Sequence, residues 1–333
     1  MKNEEKYTQF ALVREMMETP GIIRNFKLDN ADDAITAIKE KGKLFFTGEG
    51  SSRIFPAKNA IYSTMRAGLD LNMAAEGARQ AGEYDLGDFV VFCASNSGST
   101  KEIIWLLDRL QKVSHKNIFG LTARENTKLS ALATQTFVLS CGREEAVAAT
   151  KSTAEQALFY QELLAQVQGR SLADKLNSLA GAVQHALTMD IDPAITETVA
   201  NAGTIYFAGR NDGVAEELIL KTNEITRKKS DYLEGTYVFH GIQEVMNPDD
   251  VVIFVNPFGT ELEKIKETLV DGVGLNVFAV SDENTLFSTL KVSDVGELQN
   301  YVYLAAGWNI LVEVGIYLGI NLDKAERIRK VRQ

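Results

Sequence analysis

The sequence predicts an α/β protein made of two tandem copies of one unit, each a parallel β-sheet flanked by helices in a flavodoxin-like αβα sandwich. Two observations predict it. Short aromatic and β-branched runs such as Phe89-Val90-Val91-Phe92 are unbroken, as strands buried on both faces must be, and helical patterns follow them. The same order of strands, glycine-bearing turns and helices then occurs twice. "KLFFTGEGSS" (43–52) matches "TIYFAGRNDG" (204–213), "FVVFCASNSGSTKE" (89–102) matches "DVVIFVNPFGTELE" (250–263), and "NIFGLTA" (117–123) matches "NVFAVSD" (276–282). An offset of 161 residues separates Gly48 from Gly209 and Gly98 from Gly259, and 159 separate Asn117 from Asn276. Three ordered matches at nearly one offset mark a tandem duplication.

In chain order, residues 1–30 are expected to form a helical segment, 31–190 the first domain, 191–320 the second, and 321–333 a C-terminal tail. Each copy reads strand, helix, strand, helix, strand, the pattern of a parallel sheet with helical crossovers. Between the copies, Glu144 to Gln166 is rich in Ala, Leu and Glu and is expected to be helical. Leu172 to Leu187 is amphipathic and links the halves, with the boundary near Asp190-Ile191-Asp192-Pro193. A last helix is expected from Val302 to Leu318, stopped at Gly319.

Composition narrows the function. Among 333 residues, 45% are hydrophobic and 24% charged, a globular balance, and the net charge of −10 argues against a nucleic-acid partner. The polar start, Met1 to Lys6, carries no signal sequence, and no apolar run approaches the ~20 residues of a membrane span, so a cytoplasmic protein without membrane contact is expected. Cys93 and Cys141 give neither a disulfide framework nor metal-ligand spacing; the chemistry expected below calls for no metal and no cofactor.

The turn Ser95-Asn96-Ser97-Gly98-Ser99-Thr100 raises the chemical question. One serine suffices to cap the helix that follows. A run of hydroxyls, with Gly98 letting the backbone come close, suits an anion instead. Free N–H groups and the positive end of the helix dipole favour a phosphate there. The turn falls at the carboxyl end of a strand, where parallel sheets bind ligands, as does Gly48 to Ser52. The matching turn of the second copy, Asn256-Pro257-Phe258-Gly259-Thr260, has lost its hydroxyls.

These motifs resemble the SIS (sugar isomerase) family, and more closely the two-domain isomerase module of glucosamine-6-phosphate synthases. The likeness runs through "GEGSS" (48–52), "SNSGSTKE" (95–102), "EEAVAATKS" (144–152), "EELILKTNEIT" (216–226), "FHG" (239–241) and "NLDKAERIRK" (321–330). It implies that Ser95, Asn96, Ser97 and Thr100 hold a sugar phosphate, with Ser51 and Ser52 closing the cradle. Gly50, Val147, Ala149 and Glu217 would line the substrate pocket. Nothing in the chain corresponds to a glutaminase domain or its nucleophilic cysteine, so it is not expected to act alone as a glutamine-using synthase.

Moving a carbonyl between C1 and C2 of a sugar phosphate needs an opened ring, a proton shuttled through an enediol, and a stabilised oxyanion. Glu217, Lys221 and Glu224 are spaced i, i+4, i+7 and share one helix face. By spacing alone they read as a surface pair worth ~0.3–0.5 kcal/mol. The resemblance instead makes Glu224 the proton shuttle, Lys221 a lysine beside the substrate and Glu217 its support. It makes His240 the ring-opening residue, delivered from the neighbouring subunit of an obligate homodimer, and Lys330 a contact to the open-chain carbonyl on a tail folded over the site. His115 and His185 match no motif and are expected to be structural.

Three departures surround the C1–C2 end of the sugar. Ser99 stands where the synthases have a glutamate, Thr236-Tyr237-Val238-Phe239 replaces a Gly-Glu-Leu-Lys segment, and Ala325 lies near the place of a tail proline. The expectation is therefore an isomerase or deaminase acting on a hexosamine or ketosamine 6-phosphate. A fructosamine-6-phosphate deglycase and a non-catalytic phosphosugar sensor are the alternatives. A transcriptional regulator would need a DNA-binding domain, and the ~30 residues before the first copy are too few for one.

Overall fold

The computed structural model describes Met1 to Arg327 of the 333 residues. It contains two five-stranded sheets, each all-parallel. The first comprises β1 (Lys43–Thr47), β2 (Asn72–Glu76), β3 (Val90–Ala94), β4 (Ile118–Thr122) and β5 (Gln135–Val138), in the order β2-β1-β3-β4-β5. The second comprises β6 (Thr204–Gly209), β7 (Lys229–Glu234), β8 (Val251–Val255), β9 (Asn276–Ser281) and β10 (Ser288–Lys291), in the order β7-β6-β8-β9-β10. Both follow the flavodoxin-like order, and the duplicated strands occupy equivalent places in the two sheets. Each sheet also has two edge strands, β2 and β5 or β7 and β10, beyond the three per copy legible in the sequence.

One compact unit consists of Gly21–Glu144 and Ala149–Asn177. The other consists of Met1–Pro20, Glu145–Ala148 and the described part of Ser178–Gln333.

In the first unit, strand alternation sends Phe45, Val91 and Cys93 to one face of the sheet, where they pack on Ile103, Leu106, Leu107 and Leu110 of the helix Lys101–Lys112. The opposite face carries Phe46, Phe92 and Phe119, adjacent in register. These rings meet the helix Lys151–Val167: Phe46 lies 4.7 Å from Tyr160 and Phe137 4.7 Å from Phe159 between ring centres. Helices on both faces explain why the strands read as continuous apolar runs. Cys93 is buried in this core, which pushes its thiol up to about 12.

That helix starts at Lys151, later than expected. Residues Glu144 to Thr150 form an irregular segment in spite of their helix-favouring composition. The Glu144 carboxylate accepts from the N–H groups of Thr150 (2.7 Å) and Ser152 (3.5 Å), so it terminates the helix instead of extending it. The linking helix runs Leu176–Thr188 and the last helix Gln299–Tyr317.

In the second unit, Tyr206, Ala208, Val252, Phe254, Val277 and Ala279 pack with Ile265 and Leu269. The helix Val214–Lys221 is held close to Gln299–Tyr317 because Gly307 lacks a side chain. A Cβ there would lie 2.4 Å from the side chain of Leu218. Among the described residues, no helix is long and apolar enough to cross a membrane.

Candidate functional site

Two groups of residues singled out in the sequence are built by the fold, one in each unit.

In the first unit, the turns after β1 and β3 lie side by side at the point where the strand order reverses, the crevice where open α/β sheets take ligands. After β1 the chain makes a 3₁₀ turn, Gly50–Ser52, leaving Ser51 buried and Ser52 half-buried. After β3 come the hydroxyls. Ser95 Oγ and Thr100 Oγ1 are 2.8 Å apart, and the Ser97 hydroxyl accepts from Ser99 N (3.3 Å) and Ser99 Oγ (3.1 Å). The Asn96 carbonyl is pinned to the end of β4 by Ala123 N (3.1 Å) and the Thr122 hydroxyl (3.3 Å).

None of these hydroxyls caps the helix Lys101–Lys112: Thr100, at its N-cap, makes no capping bond. An ordinary cap occurs nearby, where Thr127 Oγ1 accepts from Ser130 N at 3.1 Å. The hydroxyls bond instead to one another, and Ser95 Oγ accepts from the Thr100 N–H at 3.4 Å. Gly98 has φ +64°, and a Cβ on it would fall 2.3 Å from Thr127 Cβ. Its glycine is required by the neighbouring turn as well as by its own backbone, a reason distinct from close approach of a ligand.

Val147 and Ala149 do not lie on a helix. They are half-buried in the irregular segment 145–150, alternating with buried Ala146, Ala148 and Thr150. Glu15 fixes that segment by accepting from the N–H groups of Glu145 and Ala146.

At the matching crevice of the second sheet, Arg210 takes the place of the hydroxyls. The Phe258 ring lies 4.4 Å under the Arg210 guanidinium, and Arg210 donates to the Asn256 carbonyl. Asn256 takes φ +49°, which asparagine tolerates.

In the second unit, Glu217, Lys221 and Glu224 do meet, but they are no surface pair. Glu217 and Lys221 are fully buried. Lys221 Nζ stands 3.2 Å from Glu217 Oε1 and 2.6 Å from Glu224 Oε2, and the Glu224 side chain keeps 15% of its surface exposed. Burial by itself pushes the Lys221 ammonium down, but the charges and hydrogen bonds of Glu217 and Glu224 outweigh it and hold the pKa above the ordinary lysine value.

Glu224 sits on a π-helical turn, Thr222–Thr226, that widens the end of the helix Val214–Lys221. Hydroxyls of Thr222 and Thr226 bond back to the carbonyls of Leu218 and Thr222, each at 2.7 Å, and this competes with regular helix bonding. Such turns concentrate at functional positions. They were illegible in the spacing, which assumed a regular helix.

His240 follows a 3₁₀ turn, Tyr237–Phe239, and its ring is exposed; no hydrogen bond or ion pair joins it to Glu217, Lys221 or Glu224. Lys330 lies outside the described residues. The tail before it is anchored: Asp323 accepts from Ala11 N (2.9 Å) and Leu12 N (2.8 Å), and Arg227 pairs with Glu326 at 3.0 Å.

Comparison with known proteins adds the following. No family model matches the chain. Across 354 aligned residues covering 99% of the chain, it is 24% identical to the glutamine–fructose-6-phosphate aminotransferase (isomerizing) of Methanothermobacter thermautotrophicus. It is 23% identical, over 96% of the chain, to the enzyme of that name from Lactiplantibacillus plantarum. The chain spans 58% of the length of each.

Among solved structures, the C-terminal domain of glucosamine-fructose-6-phosphate aminotransferase from Francisella tularensis superposes with a TM-score of 0.80, at 18% identity, over 97% of this chain and 100% of that one. Tagatose-6-phosphate ketose/aldose isomerase from Escherichia coli gives 0.78 at 16% identity, over 97% and 96%. Glucosamine-6-phosphate deaminase from Thermotoga maritima gives 0.71 at 20% identity, over 96% and 98%. The chain therefore has the fold of these sugar isomerase (SIS) domains and resembles the isomerase portion of the aminotransferases.

Proposed function

We propose that this chain, a double SIS fold resembling the isomerase portion of the aminotransferases, binds a hexosamine or ketosamine 6-phosphate and catalyses aldose–ketose isomerisation, deamination or both. The observation that carries the reading is the buried Glu217–Lys221–Glu224 set on a widened helical turn, with only Glu224 reaching the surface. A carboxylate held 2.6 Å from an ammonium and still partly open suits a base that takes a proton from one sugar carbon and returns it to the next through an enediol.

In this reading Ser95, Asn96, Ser97 and Thr100, with Ser51 and Ser52, hold the phosphate. The absence of a cap on the helix behind them supports it. Gly50, Val147 and Ala149 line the sugar. His240 opens the sugar ring, and its exposure between two short turns, with Tyr237 on the first and Val245 after the second also exposed, supports its delivery to the other subunit of a homodimer. Lys330 would meet the open-chain carbonyl.

The test is a turnover screen on fructose 6-phosphate, glucosamine 6-phosphate and a fructosamine 6-phosphate, reading aldose–ketose conversion, ammonia release and amine release, with unphosphorylated sugars as controls. Conversion or ammonia release that requires the phosphate is expected. Amine release from the fructosamine phosphate alone would replace this reading with a deglycase. Binding without turnover on any of them would leave a sensor, and binding of none would remove the phosphosugar reading.

A further inference from the structure

Glu144 is almost completely buried, with 2% of its surface exposed, and donors of Thr150, Ser152 and Asn96 are among those that converge on its carboxylate. Oε1 accepts from Thr150 N at 2.7 Å, Thr150 Oγ1 at 3.4 Å and Ser152 N at 3.5 Å. Oε2 accepts from Ser152 Oγ at 2.5 Å and from Asn96 Nδ2 at 3.4 Å. The two oxygens thus serve two stretches of chain. One is the junction at the start of the helix Lys151–Val167, next to Ala149. The other is the hydroxyl turn after β3.

We infer that Glu144 is a positioning residue for the phosphate cradle: it orients the Asn96 side chain and ties the cradle to the segment carrying Ala149. This inference rests on the phosphosugar reading above. The argument is one of donor and acceptor chemistry. An amide can present either its oxygen or its nitrogen to a neighbour, and a carboxylate only accepts. Beside Glu144 the Asn96 amide must therefore turn its nitrogen inward to the carboxylate, and its other end follows. Asn96 Oδ1 is buried and has no hydrogen-bond partner, so nothing else in the described residues selects that orientation. The Asn96 carbonyl is held separately, by Ala123 and Thr122. Backbone and side chain of this residue are thereby fixed from two different directions.

A helix cap alone would not need Asn96. The bonds to Thr150 and Ser152 would satisfy the helix end whatever the Asn96 side chain did. A cap and a positioning residue consequently make different predictions for the coupling between Glu144 and Asn96.

The experiment is a double-mutant cycle on the full chain. Glu144→Gln, Asn96→Ala and the double variant are titrated calorimetrically with fructose 6-phosphate, glucosamine 6-phosphate and inorganic phosphate, and each variant's unfolding midpoint is recorded. Glutamine keeps the size but offers one acceptor oxygen and an NH₂ group, so it sets donor against donor at one of the two stretches. Glu144→Gln is expected to weaken phosphosugar binding ~10-fold, a loss of the order of one charged hydrogen bond. In the Asn96→Ala background the same change should cost less than 2-fold.

Equal losses in the two backgrounds would reduce Glu144 to a helix cap and overturn the inference, as would unchanged affinity in Glu144→Gln when the wild type binds well. A wild type that binds none of the three probes would overturn the phosphosugar reading and this role with it. Should Glu144→Gln not fold, Ser152→Ala removes one donor and keeps the carboxylate. A several-fold loss of affinity is then expected that vanishes in Asn96→Ala, and an unchanged affinity overturns the inference.

Discussion

Lys221 and Glu224 form the shortest ion pair of their buried set, 2.6 Å, across the first residues of a π-helical turn. In a regular helix, positions three apart are neighbours on an exposed face. Here the lysine is entirely enclosed, and the glutamate alone keeps a way out. In the proposed reading, that asymmetry assigns Glu224 as the base that meets the sugar and Lys221 as the charge that balances it.

Glu224→Gln keeps the size and removes the base. The fold should survive, kcat on the phosphosugar identified in the screen should fall ~10²–10⁴-fold, and substrate affinity should stay within a few-fold. Solvent deuterium incorporation at C1 or C2 should fall in parallel. Turnover at the wild-type rate would exclude Glu224 as the shuttle. Retained exchange with lost turnover would move it to a later step.

Lys221→Met should destabilise the fold by about 3–5 kcal/mol, because it leaves the buried Glu217 without its counter-charge. Adding Glu217→Gln should recover part of the loss, measured by denaturant unfolding. The pH dependence has a definite sign. The folded-state pKa of Lys221 stands above the ordinary lysine value, so its contribution is fully present below that ordinary value. It is lost as pH rises through the raised folded-state pKa. A Lys221-dependent loss of stability confined to the acid side would contradict this assignment.

Ser97→Ala combined with Thr100→Ala should leave the unfolding midpoint nearly unchanged and weaken phosphosugar binding by ~1.5–3 kcal/mol for each lost bond. Calorimetry with fructose 6-phosphate and with fructose reads the effect. Equal wild-type affinity for the two sugars would remove the phosphate from the cradle.

Mixing inactive Glu224→Gln and His240→Ala chains and allowing subunit exchange should restore activity. If His240 serves the neighbouring subunit, one site of the mixed dimer is doubly defective and the other is intact. No recovery, with exchange verified by mass, would place His240 in its own subunit's chemistry or outside it.

Gly98→Ala should destabilise the first unit by about 2–4 kcal/mol, from the left-handed backbone together with the overlap on Thr127. Urea unfolding measures it. A neutral result would mean that the two turns separate freely, and the packing account of Gly98 would fail.

The sequence by itself determined the doubled α/β plan and the central strands of each sheet. Buried parallel strands must be continuously apolar, and a duplication repeats its turns at one offset. The edge strands escaped it: Asn72–Glu76, Gln135–Val138, Lys229–Glu234 and Ser288–Lys291 are short and mixed in polarity, because an edge strand has a partner on one side only. It also picked out the hydroxyl turn and the Glu217–Lys221–Glu224 spacing. Spacing describes a face of a helix but carries no information about what covers that face. Burial of Lys221 depends on a helix some 80 residues later in the chain packing close at Gly307, and the shift at Glu224 depends on threonine hydroxyls turning back on their own carbonyls. Glu144 was legible only as one more glutamate in a helix-favouring stretch. Its convergence with Asn96, 48 residues away, exists only once the sheet has brought the two loops together, since hydrogen-bond partners distant in sequence are assigned by packing and by no local pattern.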